Sequence, residues 1–206
     1  MAPTKRRKSP ANKGQKLPPE PLTDDEVRAL INTCSPSTST GIRNRALLAV
    51  LYRAGLRVSE ALNLHSRDLD AKAGTIHVRH GKGDKSRRVG LDNGAFGILQ
   101  LWLERRQTLG IRKNAPVFCT FKGEAIETAY VRALFKRLGA KAGIEKRVHP
   151  HGLRHTLAFQ LANEGTAIHV IQAQLGHSNL GTTDRYIRHL NPKAVVDAMK
   201  ARTWSL

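Results

Sequence analysis

Apolar residues along this chain recur with two different periods. Val27, Leu30 and Ile31 have helical spacing, and Thr23-Asp24-Asp25-Glu26 ahead of them reads as a capping box. Cys34 to Gly41 is a Ser/Thr/Pro loop. A second helix is predicted from Ile42 to Ala54, ended by Gly55 as a C-terminal cap, and a further short helix from Arg57 to Leu64. The period then drops to two. Thr75-Ile76-His77-Val78-Arg79 and Arg87-Arg88-Val89-Gly90-Leu91 read as strands, joined through the glycine-rich turn Gly81-Lys82-Gly83-Asp84-Lys85. Helical spacing resumes over 94–107, 127–142, 153–164, 167–174, 180–189 and 193–202. The pattern predicts an α+β fold, mainly helical, with one small antiparallel β-sheet.

Residues 1–22 break this regularity. Lys5, Arg6, Arg7, Lys8, Lys13 and Lys16 precede the first acidic residue, Glu20, and five prolines block regular structure. They read as a flexible basic tail, leaving 23–206 as one domain. The tail reads either as an arm tracking phosphates or as a solvated leader.

Charge narrows the partner. A net charge of +19 over 206 residues repels itself unless a polyanion offsets it, which points to DNA or RNA ahead of an anionic membrane surface. The longest apolar run, Ala46 to Tyr52, is too short to span a bilayer. The N-terminus has charge but no apolar run behind it, so it does not read as a secretory signal. Two cysteines, Cys34 and Cys119, suggest no disulfide framework and fit a reducing cytoplasm.

The candidate chemistry is dispersed. Arg57 and Glu60 are three apart, so a carboxylate there can hold a guanidinium in one orientation, and a fixed guanidinium suits phosphate oxygens. An ordinary surface ion pair is the plainer reading. Lys82, between glycines at the hairpin tip, is a mobile ammonium able to protonate a leaving alkoxide or simply to touch a backbone phosphate; Lys85 is its nearest rival. His151 and Arg154 sit at a helix start behind Pro150, a natural anion seat. His149 and His155 read as structural. His177 follows Leu175-Gly176. Tyr186 lies among basic residues, and its phenol, with a pKa of about 10, needs roughly 4 kcal/mol of help to ionise at neutral pH. A zinc site built on His149, His151, His155 and His177 is disfavoured, because Gly152 stands where a metalloprotease-type glutamate would follow His151.

Taken in order, Gly55-Leu56-Arg57-Val58-Ser59-Glu60, Gly81-Lys82-Gly83, His151-Gly152-Leu153-Arg154-His155-Thr156, Leu175-Gly176-His177-Ser178 and Thr182-Thr183 through Tyr186 closely resemble the tyrosine recombinase, or phage-type integrase, family. The resemblance runs from Leu22 to Met199. It is to the small members that consist of a catalytic domain alone, without the N-terminal helical clamp of larger ones. It implies a site-specific DNA recombinase or integrase working through a 3′-phosphotyrosyl intermediate, in phage or mobile-element integration. The implied catalytic residues are Arg57, Lys82, His151, Arg154, His177 and Tyr186. The implied roles are Tyr186 as nucleophile, Arg57 and Arg154 as phosphate clamp, His151 as proton-transfer partner, Lys82 as general acid and His177 as a further phosphate contact. No cofactor and no metal are implied. The implied partners are double-stranded DNA attachment sites, a homotetramer in the synaptic complex, and an accessory excision or DNA-bending factor. The family's C-terminal segment often docks on a neighbouring protomer; Ala194, Val195, Val196 and Met199 suit either that or the chain's own core.

Two other readings compete. Ile168 to Ile187 can be taken as helix, turn and helix with Gly176 in the turn, as in a non-catalytic DNA-binding regulator. That leaves Arg57, Lys82, His151 and Arg154 unexplained. A type IB topoisomerase would use similar chemistry, but the chain is short for one.

Overall fold

The computed structural model describes residues 20–79, 86–176 and Lys200. The basic segment up to residue 19, the hairpin tip 80–85 with Lys82, and the stretch 177–199 with His177 and Tyr186 lie outside the described residues. So do the helices expected over 180–189 and, Lys200 apart, over 193–202.

The first helix, α1 (Asp24–Asn32), begins as its sequence requires. Thr23 Oγ1 accepts the Glu26 N–H at 3.2 Å, and the Glu26 carboxylate takes the Thr23 N–H at 2.7 Å. Val27 and Leu30 are buried from this helix. The next helix, α2 (Ser39–Arg53), starts three residues before the predicted Ile42 because Thr38 Oγ1 caps it through Gly41 N. Residues from Ala46 to Tyr52 are all buried, so α2 is enclosed rather than amphipathic. It packs against α4 (Asn93–Thr108) on one side and α6 (Pro150–Asn163) on the other. It ends before Gly55, whose φ of +63° turns the chain toward α3 (Val58–Leu62).

Among the described residues the sheet has three strands, not two. The predicted pair is present as β2 (Thr75–Val78) and β3 (Arg87–Gly90), with Ile76 opposite Val89 and both buried. A two-residue strand, β1 (Leu69–Asp70), adds to the outer edge of β2. Two residues carry no period, so only the folded pairing reveals it.

The remaining described helices match their predicted spans closely. They are α4, then α5 (Thr128–Lys141), α6 and α7 (Ile168–Leu175). The start of α6 differs most from the predicted 153–164, beginning at Pro150 with His149 as its N-cap. Trp102 of α4 is fully buried and donates from Nε1 to the Val117 carbonyl at 2.7 Å, tying the loop after α4 to the core. The Leu22 N–H donates to Thr156 Oγ1 at 3.0 Å, and Tyr52 Oη to Gln160 Oε1 at 2.5 Å, so α6 is fastened both to the segment before α1 and to α2. Among the described residues, no helix is long and apolar enough to cross a membrane.

Candidate active site

Three of the six predicted site residues, Arg57, His151 and Arg154, fall among the described residues. Arg57 and Glu60 do not pair as two residues along a helix face. Arg57 is the N-cap of α3, and Glu60 reaches back to it. One carboxylate oxygen accepts the Arg57 backbone N–H at 2.9 Å, and the other accepts Arg57 Nη1 at 2.6 Å. The same carboxylate is held a second time. Arg87 of β3 donates Nη1 to Oε1 at 3.0 Å and Nη2 to Oε2 at 2.8 Å, a two-pronged pairing. The Glu60 side chain is only 2% exposed. Burial alone would raise its carboxyl, but the Arg87 hydrogen bonds, the Arg57 backbone N–H, the Arg87 charge and the Arg57 side-chain hydrogen bond outweigh that and bring it to about 2.

Arg154 comes from the second turn of α6 and is 2% exposed. It donates Nη1 to the Gly55 carbonyl at 2.6 Å and Nη2 to the Leu175 carbonyl. Arg57 donates Nη2 to the next carbonyl, that of Gly176, at 3.2 Å. Two arginines from distant parts of the chain thus meet at the C-terminal end of α7, where the partial negative charge of a helix favours cations. Gly176 is left-handed there, with φ of +62°, and a Cβ on it would lie 2.6 Å from Arg87 Nε. Only glycine fits. The Gln174 side chain fixes α7 against the sheet edge: its amide accepts Gly90 N–H at 2.9 Å and donates to Gly90 O at 2.8 Å and Ala54 O at 3.2 Å.

His151 is the exposed residue in the otherwise buried first turn of α6, its ring 4.1 Å from that of His155 in an edge-on contact. Partial desolvation, and then the charges of Arg154, His149 and Arg57, hold its imidazole below the usual range, which favours the neutral, proton-accepting form. His149 turns its Nδ1 to the Arg147 carbonyl at 3.1 Å. Among the described residues, no three His, Cys, Asp or Glu side chains come together as a metal-holding group.

Beside His151 a cleft of about 840 Å³ opens between α3, α5 and the start of α6. Ser59, Thr128, Arg132, Lys136, Arg147 and His151 are on its walls, and no described residue lining it is acidic. Thr128, Arg132 and Lys136 recur every four residues along α5, so one face of that helix is turned to the cleft.

The sequence reading missed Arg87. A usable signal was present: the alternation that buries Val89 puts Arg87 on the same inward side, while Arg88 points out.

Comparison with known proteins places the chain by sequence and fold. The model of the phage integrase family matches residues 20–193. Tyrosine recombinase XerC of Thermodesulfovibrio yellowstonii is 37% identical over 184 residues, covering 87% of this chain and 60% of that protein, so the chain spans about three fifths of that curated relative. Among solved structures, XerA recombinase superposes with a TM-score of 0.78 at 34% identity, over 95% of this chain and 70% of that one. XerH site-specific recombinase, bound to palindromic difH substrate in a post-cleavage complex, superposes with a TM-score of 0.75 at 30% identity, over 90% of this chain and 54% of that one. With these matches and a mainly helical fold carrying one small antiparallel sheet, the chain belongs to the phage integrase family, the tyrosine recombinases.

Proposed function

We propose that this chain is a site-specific DNA recombinase that breaks and rejoins strands through a 3′-phosphotyrosyl intermediate, in the integration of a phage or mobile element. The Tyr186 oxygen attacks the scissile phosphorus and its proton passes to neutral His151. The bond from phosphorus to the 5′-oxygen breaks, and the Lys82 ammonium supplies the proton that makes a 5′-hydroxyl. Arg57 and Arg154 stabilise the charge that grows on the nonbridging oxygens, and His177 adds a hydrogen bond there. Religation reverses these transfers on a new 5′-hydroxyl, so the bond energy is kept in the protein–DNA ester. The reading extends to duplex attachment sites as substrate, a tetramer in the synaptic complex and help from an accessory excision or DNA-bending factor.

The observation that carries it is the meeting of Arg57 and Arg154 at the carbonyls of Leu175 and Gly176, directly before His177 in the sequence. Family membership and the acid-free cleft beside His151 add support.

The test is covalent capture. The chain is incubated with a pool of nicked duplexes randomised around the nick, then denatured in detergent. The proposal expects a protein–DNA adduct that Tyr186→Phe abolishes while DNA binding persists. Binding without an adduct would instead favour a non-catalytic DNA-binding regulator.

A further inference from the structure

We infer that Arg87 is a positioning residue for strand cleavage, setting the Arg57 guanidinium through Glu60 and Gly176. The inference rests on the recombinase reading above and adds to it a residue that touches no reacting atom.

The Arg57 guanidinium has two described contacts, Glu60 Oε1 at 2.6 Å and the Gly176 carbonyl at 3.2 Å. Arg87 fixes both. Its fork engages the two oxygens of Glu60 at 3.0 and 2.8 Å, which locks the plane of the carboxylate and hence the place of Oε1. Its Nε, Cδ and Cζ also lie against Gly176, so closely that a Cβ there would sit 2.6 to 2.8 Å from all three. Arg87 is therefore a shelf under the turn whose carbonyl holds Arg57. Without it, Glu60 would keep only its bonds to Arg57 itself, from the backbone N–H and Nη1, and the Gly176 turn would lose its backing.

Charge makes the same point. A carboxylate paired with Arg57 alone would cancel much of that cation's field. Shared between two guanidinium groups, one carboxylate leaves the trio with a net positive charge. Arg57 is the more open of the two arginines, at 28% side-chain exposure against 14% for Arg87, so the excess is presented on the Arg57 side. Arg87 keeps Glu60 ionised and oriented while leaving Arg57 cationic toward an anion.

The sequence supplies its own control. Arg88 carries the same charge one residue on but is exposed on the opposite face of β3. Removing either arginine changes the net charge equally; only Arg87 touches Glu60.

The test uses the full chain and the duplex recovered by covalent capture, prepared with an ordinary phosphate or a neutral methylphosphonate at the cleaved position. Single-turnover cleavage is measured at saturating DNA, below the melting temperature of each variant. Arg87→Gln is expected to slow cleavage of the phosphate at least ~10-fold, as for the loss of an oriented cation, with DNA affinity within about twofold. Because the methylphosphonate carries less charge for Arg57 to meet, the defect should shrink there to about threefold or less. Arg87→Lys, which keeps the charge but loses the fork, should lie between, and Arg88→Gln should cleave within about twofold of the unaltered chain. Arg87→Gln cleaving the phosphate at the normal rate would overturn the inference alone. So would an equal defect on both substrates, which is the signature of a general structural weakening. If Arg87→Gln does not fold, the same comparison is made with Arg87→Lys and has the same two overturning outcomes. An unaltered chain that forms no adduct would overturn the recombinase reading itself, and this inference with it.

Discussion

Arg57 and Arg154 donate to consecutive backbone carbonyls, those of Gly176 and Leu175. The pair assigned to phosphate binding therefore also holds the end of α7, and its loss should register in stability as well as in chemistry. Arg154→Ala removes charge-assisted hydrogen bonds to the Gly55 and Leu175 carbonyls in a place where the side chain is 2% exposed. The expected loss is roughly 3–5 kcal/mol, read as a fall in the urea midpoint. Cleavage should vanish even under conditions where the variant is folded. Cleavage within a few-fold of normal would remove Arg154 from the phosphate clamp.

Glu60 makes stability depend on acid in a specific window. Its carboxyl lies at about 2 in the folded protein against an ordinary value of 4.5. A depressed folded value means that the unfolded chain takes up the proton first as pH falls. The contribution is complete above about 4.5, drains away on the way to about 2, and amounts to roughly 3 kcal/mol. Urea unfolding of the unaltered chain should weaken across that window. Glu60→Gln should be less stable at neutral pH and show a shallower fall. Parallel curves for the two proteins would mean that the Arg57–Glu60–Arg87 cluster contributes little to folding.

How far the sequence disclosed this arrangement depends on whether a feature is local. The Thr23–Glu26 capping box and the turn at Gly55 involve neighbours along the chain, and both are found where the residue types put them. Strands β2 and β3 were legible because alternation is local too. The two-residue β1 was not, since its only reason is pairing with β2. The same divide runs through the site. Arg57, His151 and Arg154 were singled out by local spacing and by a resemblance of short motifs. The Arg87–Glu60 pairing spans a hairpin and two elements, and Arg87 reads like Arg88 until strand alternation is applied. That Arg154 spends its guanidinium on the carbonyls of Gly55 and Leu175 follows only from α6 and α7 packing together.

His151 sets the acid side of the proposed cleavage. Desolvation and then the Arg154, His149 and Arg57 charges hold its imidazole below 6.5. The neutral base is then retained at pH values where an ordinary histidine is half protonated. The rate of adduct formation on a nicked duplex should fall on the acid side with a midpoint below 6.5. In His151→Gln the rate should be lower throughout and that limb should flatten. A limb centred above 6.5, or one unchanged by the substitution, would assign the proton to another group.

The cleft beside His151 separates binding from chemistry. Arg132 and Lys136 are exposed on one face of α5 and line a cleft whose described walls carry no acid. Among the described residues, neither shares a hydrogen bond or ion pair with Arg57 or Glu60. A duplex seated there would release condensed counterions for each cation it meets, so affinity should fall as salt rises. Arg132→Ala and Lys136→Ala should each weaken DNA binding and reduce the slope of log affinity against log salt by about one. If these cations serve binding alone, single-turnover cleavage at saturating DNA should stay within about threefold of normal. Fluorescence anisotropy across a salt series, paired with adduct formation at saturation, measures both quantities on the same duplex. If both substitutions left the slope unchanged, the DNA path would not run through this cleft. If they lowered the saturated rate as steeply as Arg57 or Arg154 substitutions do, the α5 face would belong to the reaction centre rather than to its approach.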